Sequence, residues 1–386
     1  VLKDAGATAD LYTFSDIDLA VDLDADNSYY AGNASRVVCE RIPWHVRAAN
    51  GDDLAFCEVR DSKDDFQCSG ISLRRRVSGG SSLGQVTNVY VRTDFANNEP
   101  TSTFKWVSGG SAVVNRNGRI FVFFTKADSA TGQANHVTTV FYTKSDDHGY
   151  TWSTPTDITS SVKKVDNSTP AGLPACYDKT NAAWGWYRFG PGEGVRTSTG
   201  RLVIPAFHRY TTDQSGASWS HCIISDDDGA TWYLGGGFQE STGTNDGTNE
   251  ICMGLLSNGN IYANMRIVSG GNGNKRGQVT ITDPTTQWSN YSVMSDGTND
   301  VDSNSTAGSV CVDSSGNVWV VCPNDDSIRA RVTVFKSTNN GTSFPSKRVL
   351  DYGYSGYSAI WEYSAGNFDT LIECTDDFAN VGTTDG

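Results

Sequence analysis

The sequence predicts an all-β chain folded as a β-propeller, and three observations carry that expectation. The strings Ser145-Asp146-Asp147-His148-Gly149-Tyr150-Thr151-Trp152 and Ser225-Asp226-Asp227-Asp228-Gly229-Ala230-Thr231-Trp232 share the pattern Ser-x-Asp-x-Gly-x-Thr-Trp; Ser337-Thr338-Asn339-Asn340-Gly341-Thr342-Ser343-Phe344 is a softened copy. Each is a hairpin corner: hydroxyl and carboxylate satisfy turn amides, Gly supplies a positive φ, and the aromatic ring tucks between layers. Copies separated by roughly 80 to 110 residues mean repeated sheet units, and radial repetition of small antiparallel sheets is a propeller. The composition agrees, with 40 Gly, 11% aromatic residues, 3 Met and no long apolar stretch at helical spacing. The third observation is the regular punctuation of short strand candidates by turn signals.

In chain order those candidates are residues 54–59, 111–114, 120–125, 138–143, 202–207, 261–265, 318–321 and 332–335. Between them stand Asn117-Gly118, Thr199-Gly200, Asn258-Gly259, Ser315-Gly316 and Ala365-Gly366, which read as hairpin turns. Residues 76–82 follow a strand-like Ile71-Ser72-Leu73 and occupy the place of an eroded earlier copy of the corner. A chain of 386 residues suggests several domains by length alone, but repeated sheets lean on their neighbours, so one domain over residues 1–386 is expected.

The formal net charge of −14 argues against a nucleic-acid or anionic-membrane partner, and an anionic ligand would need a local arginine cluster. No segment is apolar for the eighteen or so residues of a membrane span. Nine cysteines without a paired Cys-x-x-Cys or Cys/His spacing predict some disulfides and a secreted protein, and Asn-x-Ser/Thr triplets at Asn33, Asn167, Asn290, Asn304 and Asn340 fit that route.

Arg41-Ile42-Pro43 followed by three such corners resembles the sialidase (neuraminidase) family over roughly residues 35 to 375. The resemblance implies a six-bladed propeller that releases terminal sialic or related nonulosonic acids with retention of configuration, without a metal or cofactor. It further implies three arginines gripping the substrate's C1 carboxylate, a task suited to a permanently charged, planar, bidentate guanidinium. Arg41 matches the first, Arg266 at the end of 261–266 the second, and Arg331 the third, with Arg329 two residues earlier as the competing choice and Arg276 as a neighbour of the second. Glu373, in Leu371-Ile372-Glu373, resembles the glutamate that orients the first arginine.

The implied nucleophile is a tyrosine, because a neutral phenol approaches an anomeric centre bearing a carboxylate more easily than an anion does. Tyr357 in Ser355-Gly356-Tyr357-Ser358 matches it, with Tyr354 and Tyr352 on the same loop as alternatives. Glu250 in Asn249-Glu250-Ile251-Cys252 matches the base that takes its proton. The acid/base is an aspartate on a loop after the first motif: Asp65, with Asp64 and Asp61 open beside it. Arg60, in Glu58-Val59-Arg60, matches an arginine near the sugar's C4.

Gly190-Pro191-Gly192-Glu193-Gly194 resembles a family segment beneath the glycerol and N-acyl pocket; no Lys-Ser/Thr follows to support phosphate binding. Many relatives carry an aspartate where this chain reads Trp106-Val107-Ser108-Gly109-Gly110, so N-acetylneuraminic acid and its deaminated counterpart Kdn both stay open. The reading is therefore a monomeric exo-sialidase acting on sialylated glycans. Two alternatives stand beside it: a trans-sialidase with Trp184, Trp186 or Tyr187 as an acceptor shelf, and a non-catalytic binding propeller, which has no need of a Tyr-Glu pair.

Overall fold

The computed structural model describes residues 2–3, 10–13, 39–60, 68–80, 82–84, 86–91, 106–127, 137–165, 174–177, 183–210, 218–238, 247–268, 272–289, 291–303 and 306–375. Two short N-terminal strands, β1 (Leu2–Lys3) and β2 (Asp10–Thr13), join a sheet completed at the other end of the chain. The first consecutive sheet runs β3 (Cys39–Arg47), β4 (Asp53–Arg60), β5 (Cys68–Arg76) and β6 (Val86–Val91). The second is β7 (Trp106–Val114), β8 (Ile120–Ala127), β9 (Thr138–Ser145) and β10 (Thr156–Asp157), followed by a single helical turn, α1 (Thr159–Val162). The third opens with β11 (Trp184–Phe189); β12 (Gly192–Glu193) then adds to the second sheet in parallel with β7, and β13 (Val195–Arg196) pairs with the next strand of the third. Then come β14 (Leu202–Tyr210), β15 (Trp219–Ser225) and β16 (Tyr233–Gly237). The fourth holds β17 (Thr248–Leu255), β18 (Ile261–Ile267), β19 (Arg276–Ile281) and β20 (Ser292–Val293). The fifth holds β21 (Ser309–Val312), β22 (Val318–Pro323), β23 (Val332–Ser337) and β24 (Ser346–Val349). Last come β25 (Tyr354–Ser364) and β26 (Asn367–Thr375), the latter pairing in parallel with β2.

Each sheet packs on the next in chain order, and the last returns to the first through β25 and β3, which makes the arrangement a β-propeller. The first strand of each sheet lies innermost. These inner strands run the same way, so their beginnings share one end of the ring with the ends of the second strands. The opposite end carries the tight turns, where Gly51, Gly118, Gly200, Gly259, Gly316 and Gly366 all have positive φ.

The repeated corners lie at that turn end, between third and fourth strands. Ser145 Oγ accepts from Gly149 N at 2.7 Å, and Asp147 accepts from Thr151 N at 2.8 Å; Ser225 and Asp227 repeat the pattern. Not only Gly but the residue before it is left-handed, at His148, Asp228 and Asn340, residue types that tolerate this region. Trp232 and Phe344 are buried. The fourth sheet hides a further corner: Asp283 caps Thr285 N and is followed, at the same five-residue spacing as Asp227 and Trp232, by the buried Trp288. Its lost Ser and Gly conceal it in the sequence.

Two expectations need correction. Strand β7 starts at Trp106 and not at 111, because Gly109 and Gly110 occupy a register shift between Ser108 and Ser111. The expected disulfides are not found: among the described residues Cys57, Cys176, Cys222, Cys252, Cys311 and Cys322 are thiols. Burial pushes Cys252 up to about 12 and Cys322 up to about 11, so these side chains act as small core hydrophobes. No helix among the described residues is long and apolar enough to cross a membrane.

Candidate active site

The ladder is interrupted near the same end of several inner strands. Pairing shifts between Arg41 and Trp44 in β3, Thr248 and Ile251 in β17, and Ser355 and Ser358 in β25. A bulge re-aims the side chains it contains, and these three hold Ile42, Glu250 and Tyr357.

Tyr357 Oη donates to Glu250 Oε1 at 2.7 Å, and both residues are buried. Glu250 Oε2 receives Arg266 Nη1 at 3.3 Å. With one oxygen held by the guanidinium, the other is left facing the phenol. The backbone amide of Glu250 is in turn capped by Asn249 Oδ1, whose Nδ2 donates to Ser218 Oγ at 3.0 Å.

Arg41 reaches Glu373 Oε2 through Nη2 at 3.3 Å, and its guanidinium carbon lies 5.7 Å from the Tyr357 ring centre. Glu373 also accepts from the backbone N–H groups of Tyr357, at 3.1 Å, and of Ile42. Ile42 has φ +56°, a left-handed conformation unusual for a β-branched residue. Its amide bond to Glu373, and its packing with Ala307 and Tyr357, hold it there. Gly356 allows the approach, since a Cβ there would collide with Glu373 Oε2.

Arg60 is fully buried and grips Glu58 Oε2 through Nε at 3.1 Å and Nη2 at 2.6 Å. Glu58 lies opposite Arg41 in the β3–β4 register and accepts from Ser108 Oγ at 2.9 Å and Gly109 N at 3.1 Å. Sequence reasoning gave Glu58 no role. The signal was its two-residue offset from Arg60, which places both on one face of β4.

The structure separates the two candidates for the third arginine. Arg331 is exposed with φ +58°, whereas Arg329 is buried, and its carbonyl accepts from Ser355 N at 2.9 Å beside the start of β25. The alternation expected to place them on one face is broken by the left-handed turn at Arg331. Arg276 is occupied elsewhere, with Nε on Asn264 Oδ1 at 2.9 Å and Nη1 on the Thr306 carbonyl. Tyr352 is exposed and Tyr354 half-buried at the strand's start. Asp65, Asp64 and Asp61 lie outside the described residues.

Trp184 and Tyr187 belong to the core of the second and third sheets, Trp184 stacked at 3.6 Å on His208, so neither offers an open shelf. Gly190 abuts the Ile251 backbone with no room for a Cβ, which fixes β11 against the strand of Glu250. Among the described residues no three His, Cys, Asp or Glu converge as a metal-ligand set. A buried phenol–carboxylate pair between two arginines can transfer a proton over one short hydrogen bond and favour negative charge on the phenol oxygen.

A propeller with these repeated corners at one end and this Tyr, Glu and Arg constellation at the other defines an Asp-box propeller. The family model for BNR repeat-like domains matches residues 97–370. The chain belongs to the family of BNR repeat-like domain proteins. It is 26% identical over 202 residues to a sialidase of Paraclostridium sordellii, covering 50% of this chain and 46% of that protein. It is 29% identical over 204 residues to an exo-alpha-sialidase of Aspergillus fumigatus, covering 44% and 41%. The matches thus span less than half the length of these relatives. Among solved structures, the Hadza microbial sialidase Hz136 superposes with a TM-score of 0.69 at 20% identity, covering 88% of this chain and 67% of that one. An intramolecular trans-sialidase from Ruminococcus gnavus gives 0.63 at 16% identity, covering 86% and 90%.

Proposed function

We propose that this chain is a retaining exo-sialidase that removes terminal α-linked nonulosonic acids from glycans, and that its six sheets are the six blades of one catalytic domain. The observation that supports this best is the contact of Tyr357 with Glu250, flanked by Arg41 and Arg266. Arg41, Arg266 and Arg329 hold the C1 carboxylate; Arg329 replaces Arg331 in that role because it is the one buried beside the nucleophile's strand.

Tyr357 Oη attacks the anomeric C2 while its proton passes to Glu250. The bond from C2 to the glycosidic oxygen breaks, and Asp65 gives that oxygen its proton. Asp65, now a carboxylate, takes a proton from water; the water oxygen bonds to C2, the C2–Tyr bond breaks, and Glu250 returns the phenolic proton. Two displacements at one carbon retain configuration. The test is proton NMR of the sugar first released from an umbelliferyl α-sialoside: the α-anomer supports the reading, and the β-anomer or no release contradicts it.

A further inference from the structure

Outside the constellation above, Arg188 is a buried charged side chain with unmet hydrogen-bond donors among the described residues. Arg188, on β11, is 8% exposed, and its Nε and Nη2 have no hydrogen-bond partner. Its guanidinium carbon lies 5.0 Å from the Trp106 ring and 4.7 Å from the Trp186 ring, and the two indoles are 5.5 Å apart. Indole faces attract a cation but accept no in-plane N–H bond, so the two donors stay unmet. A buried guanidinium with unmet donors is costly unless something completes it.

Its level in the ring follows from its neighbours. Gly110 and Gly190 leave no room for a Cβ against Phe189 and Ile251 respectively, so β11 is pressed between the bulge of β7 and the strand of Glu250. Arg188 therefore stands beside the candidate active site. Arg41, Arg266, Arg329 and Tyr357 come from the first, fourth, fifth and last sheets, which places the carboxylate and C2 of a bound sugar on that side. The facing wall belongs to the second and third sheets, which supply Trp106, Trp186 and Arg188. In a six-membered ring the atom across from C2 is C5.

We propose that Arg188, Trp106 and Trp186 form the subsite for the C5 substituent, and that it takes a hydroxyl there in preference to an acylamino group. This rests on the sialidase reading above. The guanidinium covers the indole faces that would otherwise line an apolar pocket, and its free donors call for an oxygen acceptor. An acylamino group would bury its methyl against that charge.

The test compares umbelliferyl glycosides of Kdn, with a C5 hydroxyl, and of N-acetylneuraminic acid on the full chain. The wild-type kcat/KM is expected to favour the hydroxyl sugar by about tenfold or more, and Arg188→Met should erase that ratio by slowing the hydroxyl sugar alone. A wild-type preference for the acetamido sugar, or an equal effect of Arg188→Met on both, overturns the proposal. Should the variant not fold, the wild-type protein decides: a 2,3-unsaturated inhibitor with C5 hydrogen should bind about tenfold more weakly than its C5-hydroxyl parent, and equal binding overturns the subsite. Cleavage of neither sugar overturns the sialidase reading, and this proposal with it.

Discussion

Tyr357 and Glu250, 107 positions apart in the chain, meet through a 2.7 Å hydrogen bond because each occupies a bulge at the same end of an inner strand. The bulge turns the side chain out of the ladder's alternation, and the neighbouring arginine fixes the carboxylate. Tyr357→Phe removes one hydroxyl and leaves the ring's packing on Ile42, so it is expected to lower turnover by roughly three orders of magnitude with an unchanged melting temperature. Steady-state rates with an umbelliferyl sialoside check this; residual activity above about a tenth of wild type would move the nucleophile elsewhere.

Arg329 and Arg331 differ in burial, and that difference is measurable. Arg329→Ala is expected to weaken binding of a 2,3-unsaturated sialic acid analogue by about 2 kcal/mol or more, through loss of a buried charge-assisted contact. Arg331→Ala, at an exposed position, is expected to change it by less than about 0.5 kcal/mol. Calorimetric titration of both variants distinguishes them, and the reverse order would restore Arg331 to the triad.

Gly356 stands where a side chain would displace the Glu373 carboxylate from the amides of Tyr357 and Ile42. Gly356→Ala should therefore raise KM and lower kcat together, since Arg41 and Tyr357 share that carboxylate. Wild-type kinetics in this variant would show that Glu373 does not position them.

The seam between the first and last sheets sets an acid response. His45 bonds Asp53 at 3.1 Å and stacks on Trp361, while Arg76 bridges Asp53 and Asp369. Burial holds His45 down to about 4, with Arg47 and Arg76 adding to the effect and Asp53 opposing it. The folded state thus binds fewer protons than the unfolded chain between about pH 4 and 6.5, and this contribution to stability is lost as pH falls. Asp369 runs the other way: burial raises it to about 6 against the pull of Arg76, so its contribution is lost as pH rises from about 3.8 towards 6. The two offset one another in wild type. Asp369→Asn should steepen the rise in melting temperature from pH 4 to 6; parallel profiles for the two proteins would rule this out.

Much of the fold was legible because Asp-box corners carry their own turn chemistry, and Gly118, Gly200, Gly259, Gly316 and Gly366 take the positive φ their turns require. The corner ending in Trp288 was hidden, since only its Asp and aromatic remain. Strand β7 was read short because a bulge uses the glycines that otherwise end a strand. At the site, motif singled out Tyr357, Glu250, Arg266, Arg41 and Glu373, which the fold brings together, but it could not tell the buried Arg329 from the exposed Arg331. Strict alternation puts them on one face, and a left-handed residue in between is invisible to it. Arg188 escaped because an orphaned donor is a fact of packing, not of pattern. The cysteine count predicted disulfides, whereas the six described cysteines are thiols, five of them buried.

The central claim is that Tyr357 becomes covalently bonded to the sugar, and trapping tests it most directly. A 3-fluoro-sialosyl fluoride slows both displacements and loses fluoride in the first, so the protein should gain the mass of one fluorosialosyl group, mapped by peptic peptides to Tyr357 and absent from Tyr357→Phe. An adduct on Tyr354 or a carboxylate, or turnover of the reagent with no adduct and inverted product, would contradict it.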